Sequence, residues 1–117
     1  MKHHDKKRKL GRVRRQRSAL LRSLARSLIQ HGKIETTEAK AKELRPFIER
    51  LITKSRVDSV ASRRLIVERL GNDRKTVDKL FKQVSSRYKD RTGGYTRIIK
   101  TGRRADDAAK LARIDLV

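Results

Sequence analysis

Apolar residues recur at three- and four-residue spacing in four stretches of the chain, and each stretch predicts a helix that packs by one face. In the first, Leu20, Leu21, Leu24, Ala25, Leu28 and Ile29 make the stripe and Arg22 and Arg26 lie opposite. Ser18 is its expected N-cap and Gly32 its expected stop. The second stretch runs from Glu38 to about Arg56 on Ala41, Leu44, Ile48, Leu51 and Ile52, with Thr37 placed to cap it. Pro46 falls inside this run; it has no N–H to donate, which predicts a kink or a break just before it. Asp58 or Ser59 opens a third helix that ends near Arg69, before Gly71. Asn72 or Asp73 opens a fourth, with Val77, Leu80, Phe81 and Val84 on one face and the helical period ending after Tyr88.

Three segments follow the period of two instead. Residues 33–37 are rich in β-branched side chains, and so are residues 95–101, which follow the turn signal Gly93-Gly94. Residues 109–117 alternate, with Leu111, Arg113, Asp115 and Val117 opposite Ala112, Ile114 and Leu116, after a polar turn at 103–108. About four helices packed on one face of a small three-stranded sheet make an α+β fold. The compact domain spans residues 18–117, and residues 1–17 form a basic N-terminal extension with few apolar residues.

Charge alters this picture from a fold to a partner. Lys and Arg number 34 against 13 Asp and Glu, a formal net charge of +21 on 117 residues. Such an excess repels itself on a free protein and is relieved by a polyanion, whose condensed counterions are released on binding. The extension holds nine cations against one acid, Asp5, so it reads as a tail that orders on that partner. Hydrophobic residues make up 35% and aromatics 3%, which leaves a thin, aliphatic core and a marginally stable body. The chain has no cysteine, so disulfides and thiolate zinc sites are excluded. No apolar run approaches a membrane span, and the first residues lack the pattern of a leader, so they read as working sequence.

Specific chemistry is sparse. Gly93-Gly94-Tyr95-Thr96-Arg97, followed by Lys100, Arg103 and Arg104, offers close backbone approach, a ring for stacking and cations for phosphates. The alternative reading is a hairpin turn whose tyrosine packs on the domain, and the motif alone does not separate the two. The pattern of a nucleotide-hydrolase phosphate loop is absent. His3, third from the amino terminus, stands where copper or nickel can bind, but contact of His3 and His4 with RNA is the stronger reading, and no metal is assigned. His31 suits the negative end of the first helix. Asp106-Asp107 is the only adjacent acid pair and lies in a predicted turn, so no convergent carboxylate set supports a nuclease. Helices three and four could mimic a helix-turn-helix, yet Asp73 and Asp78 offset the cations of the fourth. A basic amphipathic membrane helix would need Trp or Phe that the first helix lacks.

The chain resembles the bacterial large-subunit ribosomal protein family numbered seventeen. The resemblance rests on Met1-Lys2-His3, Lys9-Leu10-Gly11-Arg12, Ala19-Leu20-Leu21-Arg22, Ile34-Glu35-Thr36-Thr37, the run from Ala39 to Pro46, Leu51-Ile52-Thr53, Asp58-Ser59 with Arg63-Arg64, Lys79-Leu80-Phe81 and the run from Arg91 to Lys100. It implies a non-enzymatic structural constituent of the large ribosomal subunit, cytoplasmic, monomeric within the particle and without cofactor, membrane or small-molecule substrate. It also implies a place near the nascent-chain exit, and as partners large-subunit ribosomal RNA and neighbouring proteins such as the one numbered thirty-two. Carried over residue by residue, RNA contact falls on the tail (Lys2, His3, His4, Lys6, Lys7, Arg8, Lys9, Arg12, Arg14, Arg15, Arg17), on Arg22, on Arg63 and Arg64, and on the loop from Arg91 through Arg104 (Arg91, Gly93, Gly94, Tyr95, Arg97, Lys100, Arg103, Arg104). Two departures stand out: Val13-Arg14-Arg15-Gln16 replaces the family's frequent Ser-Ser-His or Ser-Ala-His, and Ala105-Asp106 replaces its Gly-Asp, which puts a positive backbone angle there in doubt.

Overall fold

A computed structural model describes residues 13–117. The element order is α1 (Arg14–His31), β1 (Lys33–Thr37), α2 (Glu38–Ser55), α3 (Val60–Arg69), α4 (Arg74–Lys79), a π-helical turn (Leu80–Val84), α5 (Ser85–Arg87), β2 (Thr96–Arg103) and β3 (Lys110–Leu116). From α4 to α5 the chain is one helical rod, the fourth of the helices expected from the sequence. The strands pair antiparallel in the order β1-β3-β2, so the last strand lies in the middle. Ala112 and Ile114 of β3 are fully buried and join Leu44, Ile48 and Ile52 of α2 in one core with Ala25, Leu28 and Ile29 of α1.

Most helix ends follow their predicted signals. Gly32 adopts φ 78° and sends its N–H to the Leu28 carbonyl at 2.7 Å. Thr37 accepts from the Lys40 N–H, and Ser59, rather than Asp58, caps α3 by accepting from the Ser62 N–H. Asp73 caps α4 through the Thr76 N–H (3.2 Å) and also accepts from the Thr76 hydroxyl (2.8 Å), which in turn accepts from Gln30 of α1. Those two bonds from Thr76 hold the Asp73 carboxyl below the usual range. Its stabilising effect is therefore present above the ordinary carboxylate pKa of about 4 and fades as pH falls through the depressed native value. Asp73→Ala is expected to lower stability by about 1 kcal/mol at neutral pH. The gap to the parent chain should close in acid below about pH 4, as read by urea unfolding at several pH values.

Three expectations need correction. Helix α1 begins at Arg14 and not at Ser18, with Val13 at the N-cap and no side-chain cap bond. Arg14, Arg15, Gln16 and Arg17 are unbranched helix formers with no breaker among them, so the helix runs back past its apolar stripe. Residues 14–17 are thus part of α1, while residues 1–12 of the predicted tail lie outside the described residues. Helix α2 runs unbroken through Pro46. Pro46 is exposed, so the Lys42 carbonyl that loses its donor stands on the outer side, and the buried stripe of Ala41, Leu44, Ile48, Leu51 and Ile52 continues underneath. Strand β2 covers Thr96–Arg103, with a bulge between Lys100 and Gly102, and leaves Tyr95 outside it. The left-handed residue of the following turn is Ala108 (φ 56°), three positions beyond Ala105.

Candidate nucleic-acid interface

The helical periods of α1 and α2 place a basic face of each beside the other. From α1, Arg14, Arg17, Leu21 and Arg22 line a groove of about 730 Å³. From α2 come Lys42, Pro46, Phe47 and Arg50, and the end of α3 adds Arg69. Six cations meet two acids there, Glu43 and Glu68. The side chain of Arg22 also runs along Gly71, 3.6 Å from where a Cβ would stand, and Arg26 donates to the Leu70 carbonyl. The α3–α4 corner therefore closes onto α1 and fixes one wall of the groove.

A second group of cations stands at the β2–β3 hairpin. Lys100, Arg103 and Lys110 surround a hollow that also contains Glu38 and Gly102. Glu38 pairs with Lys42 at 2.8 Å and with Lys100 at 3.9 Å, and the Lys42 bond leads in holding its carboxyl below the usual range. Lys42 lines both the helical groove and the hollow beside Lys110. The two groups are therefore neighbours through the first turns of α2, and together they form a band from Arg14 to Arg103. Lys42, Arg50, Arg69 and Lys110 belong to this band and were missed in the sequence. The signal that could have found the first two is the α2 spacing of 42, 46 and 50, a solvent-side stripe with Lys and Arg at its two ends and Pro46 between; Arg69 and Lys110 join them only through the fold.

Other expected contacts have different surroundings. The Tyr95 ring is fully buried. It packs on Tyr88 with centroids 5.1 Å apart and shares a hydrogen bond with the Thr53 hydroxyl. Its N–H donates to Glu49, which also accepts from the Thr96 hydroxyl and from Arg45. The alternative reading, a tyrosine packed on the domain, is the one the structure has, and no ring face is left for a base. Sequence reasoning gave Glu49 no such part, because nothing in a lone acid on a helix shows which strand it will meet. Gly94 (φ 65°) turns the chain while its carbonyl accepts from Arg91, so these two build the loop itself. The run from Arg91 to Arg104 is not one site. The Gly-Gly turn stands at the start of β2 and Lys100, Arg103 and Arg104 at its end, roughly 20 Å away along the strand.

Arg63 is held inside the protein's own network. It makes two bonds to Asp58 (2.6 and 3.0 Å), approaches Asp78 at 3.5 Å and lies over the Phe81 ring, 4.4 Å from its centroid. The Asp58 bond leads in raising its pKa and in lowering that of Asp58. Arg64 is exposed and lines a separate hollow between α3 and α4. Arg97 is exposed and opposes Asp115 across the sheet. Asp107 accepts from the Ala109 N–H and pairs with Arg104, so it closes the hairpin turn beside the exposed Asp106. Among the described residues, no group of three or more His, Asp or Glu is placed to hold a metal ion, and no helix is long and apolar enough to cross a membrane.

Fold and surface define a small, strongly basic α+β protein whose cations gather in a band along one helix pair and one hairpin. Comparison with known proteins makes this specific: the pattern of the family described as ribosomal protein L17 matches residues 20–117. The large ribosomal subunit protein bL17 of Gemmatimonas aurantiaca is 53% identical over all of this chain and 98% of its own length. That of Neorickettsia sennetsu is 52% identical over the full length of both, and that of Bacteroides fragilis 50% identical over all of this chain and 72% of its own. The chain belongs to the ribosomal protein L17 family. It is a structural protein of the large ribosomal subunit in the cytoplasm and not an enzyme.

Proposed function

We propose that the chain binds large-subunit ribosomal RNA by its phosphates along the band from the α1–α2 groove through Lys42 to the β2–β3 hairpin. The extension, Lys2 to Arg12, adds further cations for the same RNA by its sequence. The observation that carries this reading is the adjacency of the two cation groups, which lie far apart in sequence and meet at one lysine. Phosphates of a nucleic acid strand are spaced a few ångströms apart, so a continuous run of cations neutralises successive phosphates where scattered ones cannot. Gly93 and Gly94 then serve the turn that starts β2, and Arg64 and Arg97 are secondary contacts. The family resemblance further supports a position near the nascent-chain exit beside the small protein numbered thirty-two.

The test is binding of the full chain to large-subunit ribosomal RNA, with duplex DNA as competitor at matched salt. Replacing Arg50 and Arg69 by Gln, or Lys100, Arg103 and Lys110 by Gln, is expected to weaken binding by about tenfold for each phosphate no longer neutralised. Arg63→Gln is expected to leave affinity close to that of the parent chain, because its guanidinium is already engaged. Equal affinity of all these variants, or a preference for DNA, would overturn the reading.

A further inference from the structure

The α1–α2 groove differs from the rest of the band in one respect: it carries two rings, Phe47 and Pro46, where the hollows at the hairpin have only Ala39, Ala109 and Leu111 as apolar lining. Leu21 and Phe47, both half-buried, and the exposed Pro46 line it together with Arg22, Arg50 and Arg69. A surface that meets only phosphates has no use for such rings, since phosphate oxygens gain nothing from a phenyl or pyrrolidine ring. Bases do. In an A-form duplex, however, base faces are covered by their neighbours and the edges lie in grooves, so a duplex brings only its backbone to a concave protein surface. An unpaired nucleotide brings both parts, a phosphate for the arginines and a free base face for the two rings.

We propose that this groove receives an unpaired nucleotide of the RNA, its base laid on Phe47 and Pro46 and its flanking phosphates held by Arg22, Arg50 and Arg69. This rests on the phosphate-binding band described above and adds to it the kind of RNA element bound. The volume of about 730 Å³ holds a nucleotide with room for water. Pro46 contributes a second feature: without an N–H it leaves the Lys42 carbonyl short of its usual helical donor, so this turn of α2 offers an acceptor for a base amino group or a ribose hydroxyl. Glu43 and Glu68 also line the groove. As an acceptor Glu68 suits a base amino group, and both carboxylates oppose a second phosphate in the groove.

The experiment uses the full chain and a short oligoribonucleotide carrying 2-aminopurine, as a single strand and paired with its complement, at the same salt. Quenching of the fluorophore in the single strand and tighter binding than to the duplex are expected. Phe47→Leu should lose on the order of tenfold in single-strand affinity with duplex affinity unchanged. Arg50→Gln with Arg69→Gln should weaken both. If Phe47→Leu stays folded and binds the single strand as the parent chain does, the base-binding role falls while the phosphate band stands. If the double arginine variant also binds both forms normally, the band reading fails with it. Should Phe47→Leu unfold, ultraviolet cross-linking of the unsubstituted chain decides. An adduct on the peptide containing Pro46 and Phe47 supports the proposal, and adducts confined to the hairpin overturn it.

Discussion

Tyr95→Ala is expected to cost about 3–5 kcal/mol, a large part of the stability of any domain this small. The ring is fully buried against Tyr88, and its removal leaves a void between the end of α2 and the start of β2. Tyr95→Phe keeps the ring and loses the bond to Thr53 and a longer one to the Arg91 carbonyl, so it should cost about 1 kcal/mol. Urea unfolding of both variants checks the stabilities. RNA affinity of Tyr95→Phe, measured on the folded protein, should match that of the parent chain. A Tyr95→Ala chain that unfolds at the parent's urea midpoint yet loses RNA would mean that the ring serves the partner and not the core.

The second large effect is on salt dependence. The band contains nine described cations: Arg14, Arg17, Arg22, Lys42, Arg50, Arg69, Lys100, Arg103 and Lys110. If roughly six to ten phosphates are engaged, affinity for large-subunit RNA should fall about 10³- to 10⁵-fold between about 50 and 200 mM salt. Filter binding across that range gives the slope directly. Replacing Arg50 and Arg69 by Gln should reduce the slope by about two, one for each phosphate released. A shallow slope in the parent chain would mean that its cations serve some purpose other than neutralising RNA.

The fold was legible because its signals are local. Gly32, Thr37, Ser59 and Asp73 each act on their own chain neighbours, and the alternation of β3 is visible in seven consecutive residues. Apart from the early start of α1, which local propensity explains, the misreadings share one cause, which is that tertiary surroundings decide them. Pro46 breaks a helix only if the freed carbonyl has nowhere to go, and its outward placement is a property of the packed molecule. The π-helical turn, in which the Ser85 N–H donates to the Leu80 carbonyl, keeps Phe81, Val84 and Tyr88 on the core side and has no composition signal of its own. At the site, the family resemblance pointed to basic residues but could not rank them. Arg63 and Arg50 look alike in a sequence. Only the fold shows that one is clamped between Asp58 and Asp78 while the other lines an open groove. Tyr95 is the sharpest such case, since a glycine pair beside an aromatic ring has the same spelling in a stacking loop and in a buried turn.

The order β1-β3-β2 also sets a timetable. The middle strand is Lys110–Leu116, the last of the three to be synthesised. Until it emerges, β1 and β2 have no partner in the sheet, because each pairs with β3 and not with the other. The Leu116 N–H then reaches the Gly32 carbonyl, the Tyr88 hydroxyl the Val117 carbonyl, and the Val117 N–H the Tyr95 carbonyl. These bonds tie Leu116 and Val117 to the far end of α1 and to both buried tyrosines. A growing chain thus makes β1, β2 and nearly all the positive charge of residues 1–117 before its sheet can close, and β3 completes the body that holds the RNA-facing band in shape.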